Sequence, residues 1–283
     1  VDHGGVIPTS GRDHPDGGAA PVVDHAPMDL LDALGAHHLA TPLAEAEAVA
    51  LAEPSQVARE RLMSRGFDQA PVRDRERWVG WVSTAALQPD RKIKSIYRAL
   101  DTSPIVGAAA SINDVLPQLA KAGFCFTVGR SGLEGFITPS DLDRHAARVH
   151  FYVLISAVEM ALSQILREVV PQRQLIEWMS HARAGATVPG SPFDSYATAK
   201  STGTETHAVE YLYLGEMVEF LHQQRRDEIP KDLRDKLVMV RNLRPTIMHP
   251  TRGLATLGAA HLSAVARAGV SAERELQALA QRL

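Results

Sequence analysis

Two stretches of this chain repeat one order of elements, and no other feature of the 283 residues restricts the fold as much. Residues 56–87, QVARERLMSRGFDQAPVRDRERWVGWVSTAAL, read as helix, glycine turn, strand, short turn, strand and helix start. Their strands are Ala70-Pro71-Val72 and Trp78-Val79-Gly80-Trp81-Val82-Ser83. In the second copy, INDVLPQLAKAGF leads to Cys125-Phe126-Thr127-Val128 and then to Gly135-Phe136-Ile137-Thr138. Units this small hold little core of their own, so the repeat predicts two similar units packed together.

The second copy ends in GLEGFITPSDLDR, residues 132–144. Thr138 or Pro139 at the start and Asp141 in the first turn suit a helix N-terminus, where side-chain oxygens meet orphan N–H groups and an acid meets the positive dipole end. An exposed strand-to-helix junction of this kind can also hold a nucleotide. Its free amides attract phosphate, and a carboxylate accepts hydrogen bonds from ribose hydroxyls. A capping role alone accounts for Asp141 equally.

The repeated unit resembles a CBS domain and the tandem resembles a Bateman module, over roughly residues 40–150. The resemblance implies that a Gly-apolar-apolar-Thr-x-x-Asp run binds the ribose and phosphate of an adenine nucleotide. Thr138 and Asp141 match that run. In the first copy Ser83 stands for the threonine, but Ala86 replaces the acid, so that cleft is expected to be impaired. The expected regulatory ligand is an adenine nucleotide or S-adenosylmethionine, with no cofactor required.

A net charge of −3 excludes a bulk polycation, so any nucleic-acid contact must come from a local basic patch. The single cysteine, Cys125, lies in an apolar run; it is expected to be buried and suits a reducing cytoplasm. No run of 18 uninterrupted apolar residues occurs, so no membrane span is expected, and the N-terminus lacks the pattern of a secretion signal. Residues 1–27, rich in Gly, Pro and Asp, are expected to be disordered. His3, His14 and His25 there lack the convergent spacing of a metal site, and no metal is expected. His37 and His38 are placed at the turn after a helix over 28–36.

From Asp141 the pattern becomes helical. DLDRHAARVHFYVLISAVEMALSQILREVV reads as one long helix with Leu154, Val158, Ala161 and Ile165 on its apolar face. PQRQLIEWMSHA follows, then a Gly/Pro loop, ARAGATVPGSP. The stretch HAVEYLYLGEMVEFLHQQRR carries a core stripe of Val209, Tyr213, Met217, Phe220 and Leu221. Pro230 opens another helix, and a last one runs from Gly253 to Leu283. Helices without strands predict a bundle.

Within VRNLRPTIMHPTR, residues 240–252, stand Arg241, Asn242, Arg244, His249 and two prolines. Pro245 predicts a bend near Arg244 that folds His249 back beside the arginines. Histidine can then move a proton at an RNA 2′-hydroxyl or leaving oxygen while arginine holds the phosphate, without metal. The run resembles the Arg-polar-x4–6-His signature of HEPN domains, helical proteins many of which are dimeric ribonucleases. Arg244 to His249 has the spacing but carries Pro245 in place of the polar residue. Arg241-Asn242 has the dipeptide but stands one residue too far from His249. The resemblance also implies an acid on an early helix, for which Glu159 is the candidate; a rim glutamate paired with an arginine explains it equally. His249 in turn could merely cap a helix end.

The expected architecture is α+β: a disordered tail over 1–27, a tandem CBS-like module over 28–147, and an all-α HEPN-like helical bundle over 148–283. The expected function is a nucleotide-regulated endoribonuclease acting as a homodimer on RNA. Its alternative is a non-catalytic nucleotide sensor whose bundle serves dimerisation, protein docking or RNA binding.

Overall fold

Both repeats turn on a glycine in the left-handed region, with φ of 73° at Gly66 and 75° at Gly123, where a Cβ would be strained. The computed structural model describes residue 31 and residues 33–184 and 191–282. The expected tail, residues 28–30 and 32 of the expected 28–36 helix and residues 185–190 of the Gly/Pro loop lie outside the described residues. The described residues 33–38 do not continue a helix, since Gly35 bridges Ser111 and Ala36–His38 form a 3-10 turn that includes His37 and His38. Helix α1 (Ser55–Ser64) leads into the first glycine turn, α2 (Ile93–Ile96) is a single turn between the units, and α3 (Ile112–Ala122) leads into the second. Ser111 caps α3 by accepting from the Asp114 N–H.

The strands are β1 (Thr41–Pro42), β2 (Val49–Ala50), β3 (Gln69–Asp74), β4 (Arg77–Ser83), β5 (Arg98–Ala99), β6 (Ile105–Gly107), β7 (Cys125–Gly129) and β8 (Gly132–Ile137). They form two four-stranded sheets, β2-β3-β4-β5 and β6-β7-β8-β1. In each sheet the first pair is parallel and the other two are antiparallel. A register irregularity follows Val72 in β3 and Thr127 in β7, which are equivalent positions. The repeat is therefore real down to its bulges.

The edge strands are exchanged. β1 precedes the first unit yet pairs with β8 of the second, and β5 precedes the second unit yet pairs with β4 of the first. Glycine permits each approach. A Cβ on Gly80 would strike the Arg98 carbonyl oxygen, and one on Gly135 would lie 2.5 Å from Thr127 Oγ1 and 2.6 Å from Ala40 Cβ. Separating the units would strip each sheet of an edge. Between the sheets Leu43, Trp81, Phe124, Phe126 and Phe136 form a small core, with the Trp81 and Phe124 rings 4.1 Å apart.

The helical part comprises α4 (His145–Val169), α5 (Gln172–Ala184), α6 (Pro192–Ser201), α7 (Leu214–Gln224), α8 (Lys231–Met248) and α9 (Ala259–Ala280). α4 is its axis: Phe151, Leu154, Val158 and Leu162 are fully buried. Gly269 of α9 lets the two helices close, since a Cβ there would meet the Leu154 side chain at 2.8 Å. By length and composition alone α4 could cross a membrane, and 56% of its apolar window is buried inside the protein. Ile112, Val115, Leu116 and Leu119 of α3 share one buried cluster with α4 and α9. The first unit keeps a separate core of residues such as Val49, Leu62, Val72 and Val82.

Two expected helices are broken. The long helix does not start at Asp141: a 3-10 turn, Pro139–Asp143, is followed by an extended Arg144 (φ −64°, ψ 151°) before α4 begins. The Asp141 carboxylate returns to the Thr138 N–H and closes a tight turn that the chain must leave before an α-helix can begin. The stretch 207–226 likewise splits into a 3-10 turn, Ala208–Tyr211, and α7. Glu216 accepts from the Tyr213 N–H and restarts the helix, so Tyr213, expected in the core stripe, is 56% exposed.

Candidate functional site

At the end of β8 the strand runs into the Pro139–Asp143 turn, and the Asp141 carboxylate gathers the junction. Its Oδ2 accepts from the Thr138 N–H at 2.7 Å and the Thr138 hydroxyl at 2.9 Å. Its Oδ1 accepts from Arg144 Nε at 3.0 Å and from the Thr41 hydroxyl at 3.4 Å. Arg144 also donates to Thr41 Oγ1 at 2.6 Å and to the Ala40 carbonyl at 3.3 Å. The exchanged strand β1 is thus tied to the turn through Arg144. Thr138 and Asp141 are brought together, and Asp141 caps its own turn. Its carboxylate is largely sheltered while Arg144 is half-exposed. Behind the turn, burial and then the Asp141 charge push the Cys125 thiol up to about 12.

Ser83 occupies the equivalent place in the first unit, at the head of the 3-10 turn Thr84–Ala86, and makes no side-chain cap there. The turn is held instead by the Thr84 hydroxyl, which donates to the Phe67 carbonyl at 2.6 Å. The two junctions therefore differ in chemistry: one presents a carboxylate, the other only hydroxyls.

Pro245 does not end its helix. α8 runs through that residue to Met248, and the chain leaves it at His249. A proline near the last turn costs one hydrogen bond, and the carbonyls left over at this end are collected by a guanidinium from α4. Arg148 Nη1 donates to the carbonyls of Thr246 at 2.7 Å and Ile247 at 2.9 Å, and Nη2 donates to that of Arg252 at 2.6 Å. Longer contacts at 3.5 Å reach His249 O and Pro250 O. From the preceding turn Asp143 accepts from the Ala255 N–H at 2.9 Å.

His249 is exposed at the tip of α8. Arg244 points elsewhere: its guanidinium stands 4.8 Å over the Tyr213 ring, and its Nε is 3.8 Å from the Glu159 carboxylate. Within one chain, then, Arg244 and Glu159 meet, and among the described residues no hydrogen bond or ion pair joins the His249 side chain to either. Among the described residues, the side chains of Arg241 and the exposed Asn242 make a neighbouring 3.4 Å contact with each other. Burial holds the Glu159 carboxyl above its ordinary value, against the opposing pull of Arg244. Glu159, Glu210 and Glu273 line a cavity of about 630 Å³ together with Arg167 and Met160. Three acids make that cavity a poor seat for a phosphate.

No protein-family profile matches the sequence, and no curated protein matches it. Solved structures similar to part of it include CBS-domain proteins. One is a CBS domain-containing protein from Bacillus anthracis, at 19% identity and TM-score 0.35, covering 41% of this chain and 94% of its own. Another is CBSX2 in complex with AMP, at 19% identity and TM-score 0.36, covering 41% and 97%. A third is the CBS domain of a bacterial CNNM/CorC family Mg²⁺ transporter in complex with ATP, at 16% and 0.36, covering 41% and 89%.

Sequence reasoning missed Arg148, Arg144 and Asp143. An arginine three residues into an amphipathic helix looks like part of a solvated face, and nothing local marks the carbonyls it reaches about 100 positions away.

Proposed function

We propose that this chain is an adenine-nucleotide sensor in which the paired units hold the ligand at the Thr138–Asp141 junction and the helical part provides the output. The observation that carries this reading is the state of Asp141, a carboxylate at the head of a turn whose Oδ1 is engaged, among the described residues, by a half-exposed arginine and a threonine hydroxyl. A ribose diol can replace both donors, and the released Arg144 then meets the phosphate. The resemblance of the repeat to CBS pairs supports an adenine nucleotide, and AMP and ATP are the first ligands to try.

Titration calorimetry with AMP, ADP, ATP and S-adenosylmethionine tests the assignment. Saturable binding that weakens about tenfold in Asp141→Ala, but not in Ser83→Ala, is the expected result. Equal affinity in Asp141→Ala removes the cleft from consideration.

A second reading makes the helical part a metal-independent endoribonuclease of HEPN type. What favours it is that α8 carries Arg241, Asn242 and Arg244 along its length and an exposed His249 at its tip. Because Arg244 is committed to Glu159 and Tyr213 in its own chain, the histidine beside it would come from a second copy. Labelled RNA in EDTA should be cut by the wild type and left intact by His249→Ala. If no cleavage is seen with clean protein, the bundle is a dimerisation, docking or RNA-binding element of the sensor.

A further inference from the structure

We propose that Asp143 and Arg148 form a two-point clamp through which occupancy of the Thr138–Asp141 junction reaches the loop that carries His249. The inference rests on the ligand reading above and adds the route by which the ligand is felt.

Three observations support it. First, the loop is held from two sides of one hinge. Asp143 ends the 3-10 turn and binds the Ala255 N–H at 2.9 Å, whereas Arg148 lies in the first turn of α4 and binds the carbonyls of Thr246, Ile247 and Arg252 at 2.6–2.9 Å. Second, the residue between the two rigid pieces is Arg144, whose backbone is extended where its neighbours on both sides are helical. Third, the side chain of that hinge residue is the group bound to Asp141.

The mechanical consequence is direct. While Arg144 is bonded to Asp141 and Thr41, the hinge is fixed and the two grips keep one spacing. A ligand that takes Arg144's place on Asp141 frees the hinge backbone to rotate. Any rotation there moves Asp143 relative to Arg148, and the segment from Thr246 to Ala255, held at both ends, must follow. There is little slack: a Cβ on Gly253 would already lie 3.1 Å from Asp143 Oδ1. Arg148 is in this sense a positioning residue for His249, acting through the backbone and touching no substrate.

Hydrogen exchange on the full chain, with and without saturating AMP, reads the clamp, and calorimetry on the same samples reads binding. In the wild type AMP should speed exchange of the amides over 251–257 by about threefold or more, as the freed hinge loosens the segment. In Asp143→Ala the affinity for AMP should stay within about twofold of wild type while that AMP-dependent change is lost. Arg148→Lys keeps the charge but not the planar fork and should lose the response likewise; it carries the comparison if Asp143→Ala does not fold. Undisturbed protection of the α4 core amides separates uncoupling from unfolding. AMP binding with no change over 251–257 in the wild type overturns the clamp and leaves the ligand assignment standing, as does a full response in both variants. Absence of AMP binding overturns both.

Discussion

Arg144 and Asp141 face each other over 3.0 Å in the first turn after β8, so the acid best placed to take a ribose already has an occupant from its own chain. That occupant carries the charge a phosphate would seek. Arg144→Ala should therefore leave adenosine binding intact or tighter while weakening AMP. The ratio of AMP to adenosine affinity should fall by about tenfold, the loss of one charge-assisted hydrogen bond. Competition titration with the two ligands measures it, and an unchanged ratio rules out Arg144 as the phosphate partner.

Gly80 should tolerate no side chain. A Cβ there runs into the backbone of Arg98 in the exchanged strand β5, an obstacle that no rotamer change can relieve. Gly80→Ala should lower unfolding stability by about 1–3 kcal/mol, read from the urea midpoint. A substitution at Gly66, where nothing lies within 4 Å of the added Cβ, pays only the backbone strain of its φ of 73°.

His150 should make the fold sensitive to mild acid. It is fully buried in α4, bonded to the Asn113 side chain at 3.0 Å, and burial pulls it down from 6.5 to about 4. Between those values the unfolded chain binds the proton and the folded one does not. Stability from this group is thus whole above pH 6.5 and is lost as pH falls toward 4, up to about 3 kcal/mol in all. His150→Gln, which keeps a donor for Asn113 and cannot titrate in this range, should flatten the dependence of the melting temperature on pH between 4.5 and 6.5 as roughly bounded by those two values.

If the ribonuclease reading holds, its site is shared between copies and complementation should reveal it. Arg244→Ala and His249→Ala are each expected to be inactive. Mixed and reassembled, they form mixed dimers with one intact site, and random pairing restores roughly a quarter of wild-type activity. No recovery on mixing, with both variants folded, argues for a site within one chain or for none.

The repeat was legible because its strands alternate and its turns are glycines: the equivalence of Trp81-Val82 with Phe136-Ile137 is visible in the letters. The exchange of β1 and β5 was not, because Thr41–Pro42 and Arg98–Ala99 are two residues long and carry no alternation. The break at Arg144 was hidden by a helical pattern of residues that runs through it, and the Asp141 hydrogen bonds reveal the turn. At Pro245 local propensity pointed to a helix end, yet the helix continues to Met248, where Arg148 takes up its last carbonyls. A glutamate at 159 paired with an arginine was one of two readings, but the turning of Arg244 toward Glu159 and Tyr213 instead of His249 followed only from the packing of α8.

A crystal of the full chain soaked with AMP is the decisive measurement. The ribose hydroxyls are expected on the Asp141 carboxylate, the Arg144 guanidinium moved from Asp141 to the phosphate, and the first unit's Ser83 turn empty. AMP bound elsewhere, or the Arg144–Asp141 pair intact beside a ligand-free junction at saturating AMP, rules out the Thr138–Asp141 junction as the nucleotide site.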